Sequence, residues 1–135
     1  MLNKRPSFVA LLTLLVAFTV AAGCNPQQQE IKASIGDNGR EMQLKKGQTL
    51  VVTLEANPTT GYSWEVAEPL DEQVLRQVGE PEFKQESDLV GAGGVQILRF
   101  EAMNAGQTTF KLVYHRPWEK DVEPLETYSI EVVVR

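Results

Sequence analysis

Apolar and polar positions alternate along most of the chain with the two-residue period of a half-buried strand. Ile31, Ala33 and Ile35 alternate ahead of a turn at Gly36-Asp37-Asn38-Gly39, and Met42 and Leu44 continue the pattern, which predicts a first strand paired with its return. After a turn at residues 45–48, residues 49–55 place Leu50, Val52 and Leu54 on one face. Residues 63–66 put Trp64 and Val66 on a face expected to be buried. Residues 69–73 read as a connector and 74–78 as a short strand. Residues 80–83 read as a break that opens a polar stretch ending at Asp88. Three long strands follow. Their buried faces are Leu98, Phe100 and Ala102; Phe110, Leu112 and Tyr114; and Tyr128, Ile130, Val132 and Val134. Pro117 is expected to end the middle one. No amphipathic helix is present in the pattern after residue 24, and short strands at near-regular spacing predict an all-β, immunoglobulin-like antiparallel β-sandwich.

The first 24 residues break this pattern. Lys4 and Arg5 precede an apolar run over residues 8–20, then Ala21-Ala22-Gly23 and the only cysteine, Cys24. The run is too short and wrongly flanked for a stable span, and small residues before Cys24 suit peptidase cleavage. Val20-Ala21-Ala22-Gly23-Cys24 resembles the lipobox of a bacterial lipoprotein, with Ala21 where leucine is usual. That resemblance implies a signal peptide over 1–23, lipidation of Cys24, a polar tether over 24–30 and one domain over 31–135. The alternative is a plain secreted protein with a free thiol. Asn25, which is not aspartate, favours the outer membrane, with the domain facing periplasm or exterior. Cleavage leaves 112 residues, enough for a single core, with 11 basic against 18 acidic residues and a net charge of −7. Such a balance excludes nucleic acid as a partner, because phosphate neutralisation needs clustered cations.

Little in the inventory can do chemistry. With Cys24 committed to lipid and His115 the only histidine, no Cys/His dyad and no histidine-rich metal site can be assembled. Glu80 with Glu82, and Glu123 with Glu126, sit in polar stretches and read as solvated surface charge. Gly91-Ala92-Gly93-Gly94 lacks the Lys-Ser/Thr ending of a phosphate loop and precedes a strand, so it reads as a mobile turn that a partner's backbone can approach closely. The expectation is a monomer that is not an enzyme, with no cofactor, no metal and no small-molecule substrate.

What remains is loop chemistry. Asn57-Pro58-Thr59-Thr60-Gly61-Tyr62 joins two predicted strands. Pro58 fixes φ, Gly61 tolerates φ > 0, and two β-branched threonines are stiff at χ1, so the tip should present hydroxyl and methyl groups in few orientations. On its own the hexapeptide serves equally well as a plain turn. Trp118 follows Arg116 and Pro117 just past a strand end, a composition that suits an interface hot spot or, alternatively, local packing.

Taken together, in this order and spacing, Asn57 to Tyr62, Gly91 to Gly94 and Arg116-Pro117-Trp118 resemble the three loops of the chagasin family of cysteine protease inhibitors. The resemblance spans nearly all of the chain after the tether. It implies an immunoglobulin-like sandwich whose loops cluster at one end and plug the cleft of a papain-like protease, reversibly and without a covalent step. Thr59 would then lie nearest the catalytic cysteine, with Pro58, Thr60 and Gly61 shaping the wedge. Gly91, Ala92, Gly93 and Gly94 would lie along one side of the cleft, and Trp118 on the other, posed by Arg116 and Pro117. A competing expectation is an envelope adhesion or assembly module that binds a structural protein or glycan through the same sandwich.

Overall fold

The computed structural model describes residues 29–135; the signal segment, Cys24 and the tether up to residue 28 lie outside the described residues. Nine strands run in chain order as β1 (Glu30–Ala33), β2 (Glu41–Leu44), β3 (Thr49–Ala56), β4 (Ser63–Val66), β5 (Leu75–Gln77), β6 (Glu82–Gln85), β7 (Gly94–Ala102), β8 (Gly106–His115) and β9 (Glu126–Val134). One sheet has the order β1-β3-β7-β5, with β6 also paired to β7; the other has the order β2-β9-β8-β4. The expected all-β two-sheet sandwich is therefore what the chain forms.

Its core is built from the faces that alternation marks. Leu50, Val52 and Leu54 of β3 and Leu98, Phe100 and Ala102 of β7 meet Phe110, Leu112 and Tyr114 of β8 and Tyr128, Ile130, Val132 and Val134 of β9, all buried. Phe100 and Phe110 lie 4.8 Å apart between ring centroids, and Trp64 stacks on Tyr114 at 5.0 Å with Tyr128 edge-on at 6.5 Å. Each large apolar side chain removed from water contributes about 1.5–3 kcal/mol before the entropy of ordering is set against it.

Three elements depart from the reading of the sequence. First, β1 and β2 do not pair with each other. Each runs parallel to a strand far along the chain, β1 to β3 and β2 to β9, and they belong to opposite sheets. Between them Ser34 caps a short 3-10 turn at Ile35–Asp37, its N–H donating to Asp37 Oδ2 at 2.9 Å. The chain then crosses to β9, where Gly39 donates to the carbonyl of Ser129 and Arg40 accepts from Glu131. Second, the predicted strand over 74–78 contracts to Leu75–Gln77. Third, the break and polar stretch contain β6, whose four residues are all exposed and so carry no burial signal. Register with β7 holds it, and Gly94 makes the approach possible: a Cβ there would lie 2.1 Å from the carbonyl oxygen of Lys84.

A glutamine side chain joins the sheets at Trp64, whose indole N–H also crosses between them to donate to the Glu55 carbonyl at 2.9 Å. Gln96, on the inner face of β7, accepts from the Trp64 N–H at 2.8 Å and donates to the Trp64 carbonyl at 2.9 Å. The free edge of β4 is thus satisfied at its buried position by a side-chain amide in place of a further strand.

Candidate functional site

Strand direction gathers three loops at one pole. The top of β3 pairs with the start of β7 through Ala56 and Gly94, and the start of β4 pairs with the end of β8 through Ser63 and His115. Residues 57–62 after β3, residues 86–93 before β7 and the segment after His115 therefore emerge side by side. Pro117 lies beyond the end of β8, as expected of a residue without a backbone donor.

The first loop is one turn of 3-10 helix, Pro58–Thr60, with Asn57 as its N-cap and Gly61 in the left-handed region at φ 83°. Asn57 Oδ1 accepts from the Thr59 N–H at 3.2 Å and from the Thr59 hydroxyl at 2.6 Å, while the Thr60 hydroxyl donates to the Asn57 carbonyl at 2.6 Å. Both hydroxyl hydrogens are thereby turned inward, which fixes the orientation in which the tip presents its two threonine side chains. The exposed surface of Pro58, Thr59 and Thr60 is left uncharged and stiff.

The second loop is held to the first. Asn57 Nδ2 donates to the Gly91 carbonyl at 3.2 Å, and the Asn57 N–H donates to the phenol oxygen of Tyr114 at 3.0 Å. Gly91 has φ 77°, and the Cβ position of Gly93 lies 3.6 Å from the Ala56 carbonyl oxygen, so the loop crosses close over the end of β3. Gly91 and Gly93 are exposed and Ala92 half-buried, while Gly94 is buried in β7 under Lys84 and serves the strand pairing, not an outer surface. Sequence reasoning passed over the two residues that stand furthest out here, Leu89 at 73 % exposure and Val90, which is fully exposed. Their signal was available as two consecutive large apolar residues between polar and glycine-rich segments.

The third loop is held to the first from the other side. Arg116 Nε donates to the Thr60 carbonyl at 3.0 Å, its guanidinium lies 4.6 Å from the centre of the Tyr62 ring, and it pairs with Glu119 at 2.9 Å. The bond from Glu119 raises the Arg116 pKa further above its already high ordinary value, so the anchor is charged at any physiological pH. Trp118 is 66 % exposed, which answers the packing alternative. Its ring lies over Gly61: a Cβ on that glycine would come within 2.3 Å of Trp118 Cη2. Beneath this surface Tyr62 packs on Tyr114 at 5.3 Å, linking the loop pole to the Trp64 stack in the core. His115 pairs with Glu65 at 2.8 Å beside the loops.

No group of three or more histidine, cysteine or acidic side chains that could hold a metal occurs among the described residues. A rigid, uncharged central turn, flanked by an apolar tip on one side and an exposed tryptophan on the other, defines a protein-binding head carried on a β-sandwich. Residues 43–132 match the family described as Chagasin family peptidase inhibitor I42. Amoebiasin-2 of Entamoeba histolytica is 37 % identical over 84 residues, 62 % of this chain and 68 % of that protein. Chagasin of Trypanosoma cruzi is 28 % identical over 102 residues, 73 % of this chain and 93 % of that protein. Among solved structures, the cysteine protease inhibitor EhICP2 from Entamoeba histolytica superposes with a TM-score of 0.70 at 27 % identity, over 82 % of this chain and 99 % of that one. The chain belongs to the chagasin family of peptidase inhibitors.

Proposed function

We propose that this protein is a reversible, non-covalent inhibitor of papain-like cysteine proteases that plugs the active-site cleft with its three loops. The observation that carries the reading is the joining of those loops into one body: Asn57 ties the first to the second, and Arg116 and the Trp118–Gly61 contact tie the first to the third. Preorganisation of this kind lowers the ordering cost of binding. Thr59, at the exposed tip, is the residue that would approach the catalytic cysteine. A scissile peptide must lie extended across a protease cleft, and a capped 3-10 turn that begins with proline does not, so the wedge would occlude the cleft without being cut. Leu89 and Val90 would extend the contact on one side and Trp118 on the other. Three such tips suit an interface of standard size, about 1,600 Å² in total, in which one well-seated tryptophan supplies about 2 kcal/mol or more. The lipobox-like sequence supports anchoring through lipid on Cys24, on the periplasmic or outer side of an outer membrane.

Inhibition of papain by the purified protein tests the proposal. Trp118→Ala is expected to raise the inhibition constant more than about tenfold while changing the melting temperature little, because the ring is mostly exposed. Full papain activity at micromolar wild-type protein would refute the cleft-plug reading. A pull-down from envelope extract that survives changes in all three loops would point to the adhesion alternative.

A further inference from the structure

A groove of about 610 Å³ opens at the loop pole, on the flank bounded by the first loop, the second loop and the start of β9. Its floor is formed by core aromatics, Trp64 and Tyr114, and Ile35 lies beside them at 57 % exposure. Glu86 and Glu126 also line it, each exposed and neither ion-paired among the described residues, whereas Glu55 borders it from β3 with a side chain that alternates away from the buried Leu54 and Ala56. An apolar floor beneath uncompensated carboxylates matches one kind of occupant, a long aliphatic stem with a cationic head, which is lysine or arginine. The volume lies in the range that takes a small ligand or a short chain segment. Asn57 and Gly93 belong both to the groove and to the loops that form the plug, so a partner seated on the loops borders the groove directly.

We propose that this groove takes a lysine- or arginine-bearing surface segment of the bound protease, from the edge of its cleft, and that the inhibitor thereby selects targets whose cleft rim is basic. The inference rests on the cleft-plug reading and adds to it a flank contact and a target preference. Ile35 and the aromatic floor cover the stem, and the carboxylates receive the head. A contact made in the docked complex slows dissociation, whereas diffuse charge alone acts mainly on association and weakens with salt.

The test measures association and dissociation rates of the whole protein with two papain-like proteases, one with a lysine- and arginine-rich cleft rim and one with an acidic rim. Glu86→Gln with Glu126→Gln is expected to raise dissociation from the basic-rimmed enzyme about fivefold to tenfold and from the acidic-rimmed enzyme less than about twofold. Asp71→Asn with Glu72→Gln makes the same change in net charge beside β5, whose Leu75 pairs with Ala102 at the far pole, and should leave both dissociation rates within about twofold. Unchanged dissociation in the first double variant, or an equal change in the second, overturns the proposal. Failure of the wild-type protein to inhibit either enzyme would be a separate result, bringing down the cleft-plug reading and this inference with it.

Discussion

Gly61→Ala tests whether Trp118 is posed by the first loop. The new Cβ would lie 2.3 Å from Cη2 and 2.9 Å from Cζ2 of Trp118, against an ordinary carbon–carbon contact of about 3.5–4.0 Å, so the ring must retreat by more than about 1 Å. Folding should suffer little. Alanine in the left-handed conformation costs about 1–2 kcal/mol, and the stiffer unfolded chain returns about 0.4–1 kcal/mol of that. A net loss of about 1 kcal/mol lowers the melting temperature of a domain of this size by about 4–8 °C. Because Trp118 is 66 % exposed, its displacement opens no cavity. Inhibition should suffer more: removing a tryptophan hot spot from its pose loses about 2 kcal/mol, close to a thirtyfold rise in the inhibition constant. The assay is a double-mutant cycle, with Gly61→Ala and Trp118→Ala measured singly and together against papain, each checked by thermal unfolding. If the glycine acts through the ring, Gly61→Ala changes inhibition by less than about threefold once Trp118 is alanine, with a coupling of about 1 kcal/mol or more. Equal losses in both backgrounds would show that the glycine matters only to the loop's own conformation.

Two further changes test the scaffold. Gln96→Leu keeps the volume but leaves the buried N–H and carbonyl of Trp64 without partners, so urea unfolding should show a loss of about 2–5 kcal/mol; a loss under about 1 kcal/mol would mean that the clamp is dispensable. Burial, reinforced by the charge of Asp37, raises the pKa of the Tyr128 phenol, which donates to the Ser34 carbonyl at 2.9 Å. The folded state therefore keeps a proton that the unfolded chain loses near pH 10, and stability should hold below that pH and fall as pH rises past it. Urea midpoints between about pH 8 and pH 11 should decline more steeply for wild type than for Tyr128→Phe, which itself costs about 1 kcal/mol at neutral pH; parallel declines would assign the alkaline loss elsewhere.

The parts of the fold legible in the sequence are those that residue alternation determines. Leu50, Val52 and Leu54, or Tyr128, Ile130, Val132 and Val134, leave one face no place but the core. Pairing partners are less legible, because alternation says which face is buried and not which strand lies alongside. That is why β1 and β2 looked like a hairpin when each pairs in parallel with a distant strand. β6 was hidden for the opposite reason, since Glu82, Phe83, Lys84 and Gln85 are all exposed and only backbone register makes them a strand. At the site, turn chemistry marked Pro58 and Gly61, and the exposed tryptophan was visible from its place after Pro117. Asn57 read only as a turn former. Its role as the hub that binds Thr59, Gly91 and Tyr114 depends on contacts that span up to 57 positions and appear only once the sheets have brought them together.

The parallel register of β1 against β3 puts the start of β1 at the pole opposite the three loops. Glu30 lies beside Thr49, at the end of the sandwich opposite Asn57, and the eight residues of β3 separate the two poles by about 26 Å at 3.3 Å per residue. With lipid on Cys24 as proposed, the five peptide links to Gln29 add a leash of at most about 18 Å. With the sandwich standing upright on that leash, the wedge would lie between about 26 and 44 Å from the headgroups. In that upright stance, an enzyme embedded in the same bilayer with its cleft low against the surface would be out of reach. One arriving from the surrounding fluid would meet the plug first, so an inhibitor anchored in that way would suit a sentry against incoming enzymes better than a regulator of its membrane neighbours.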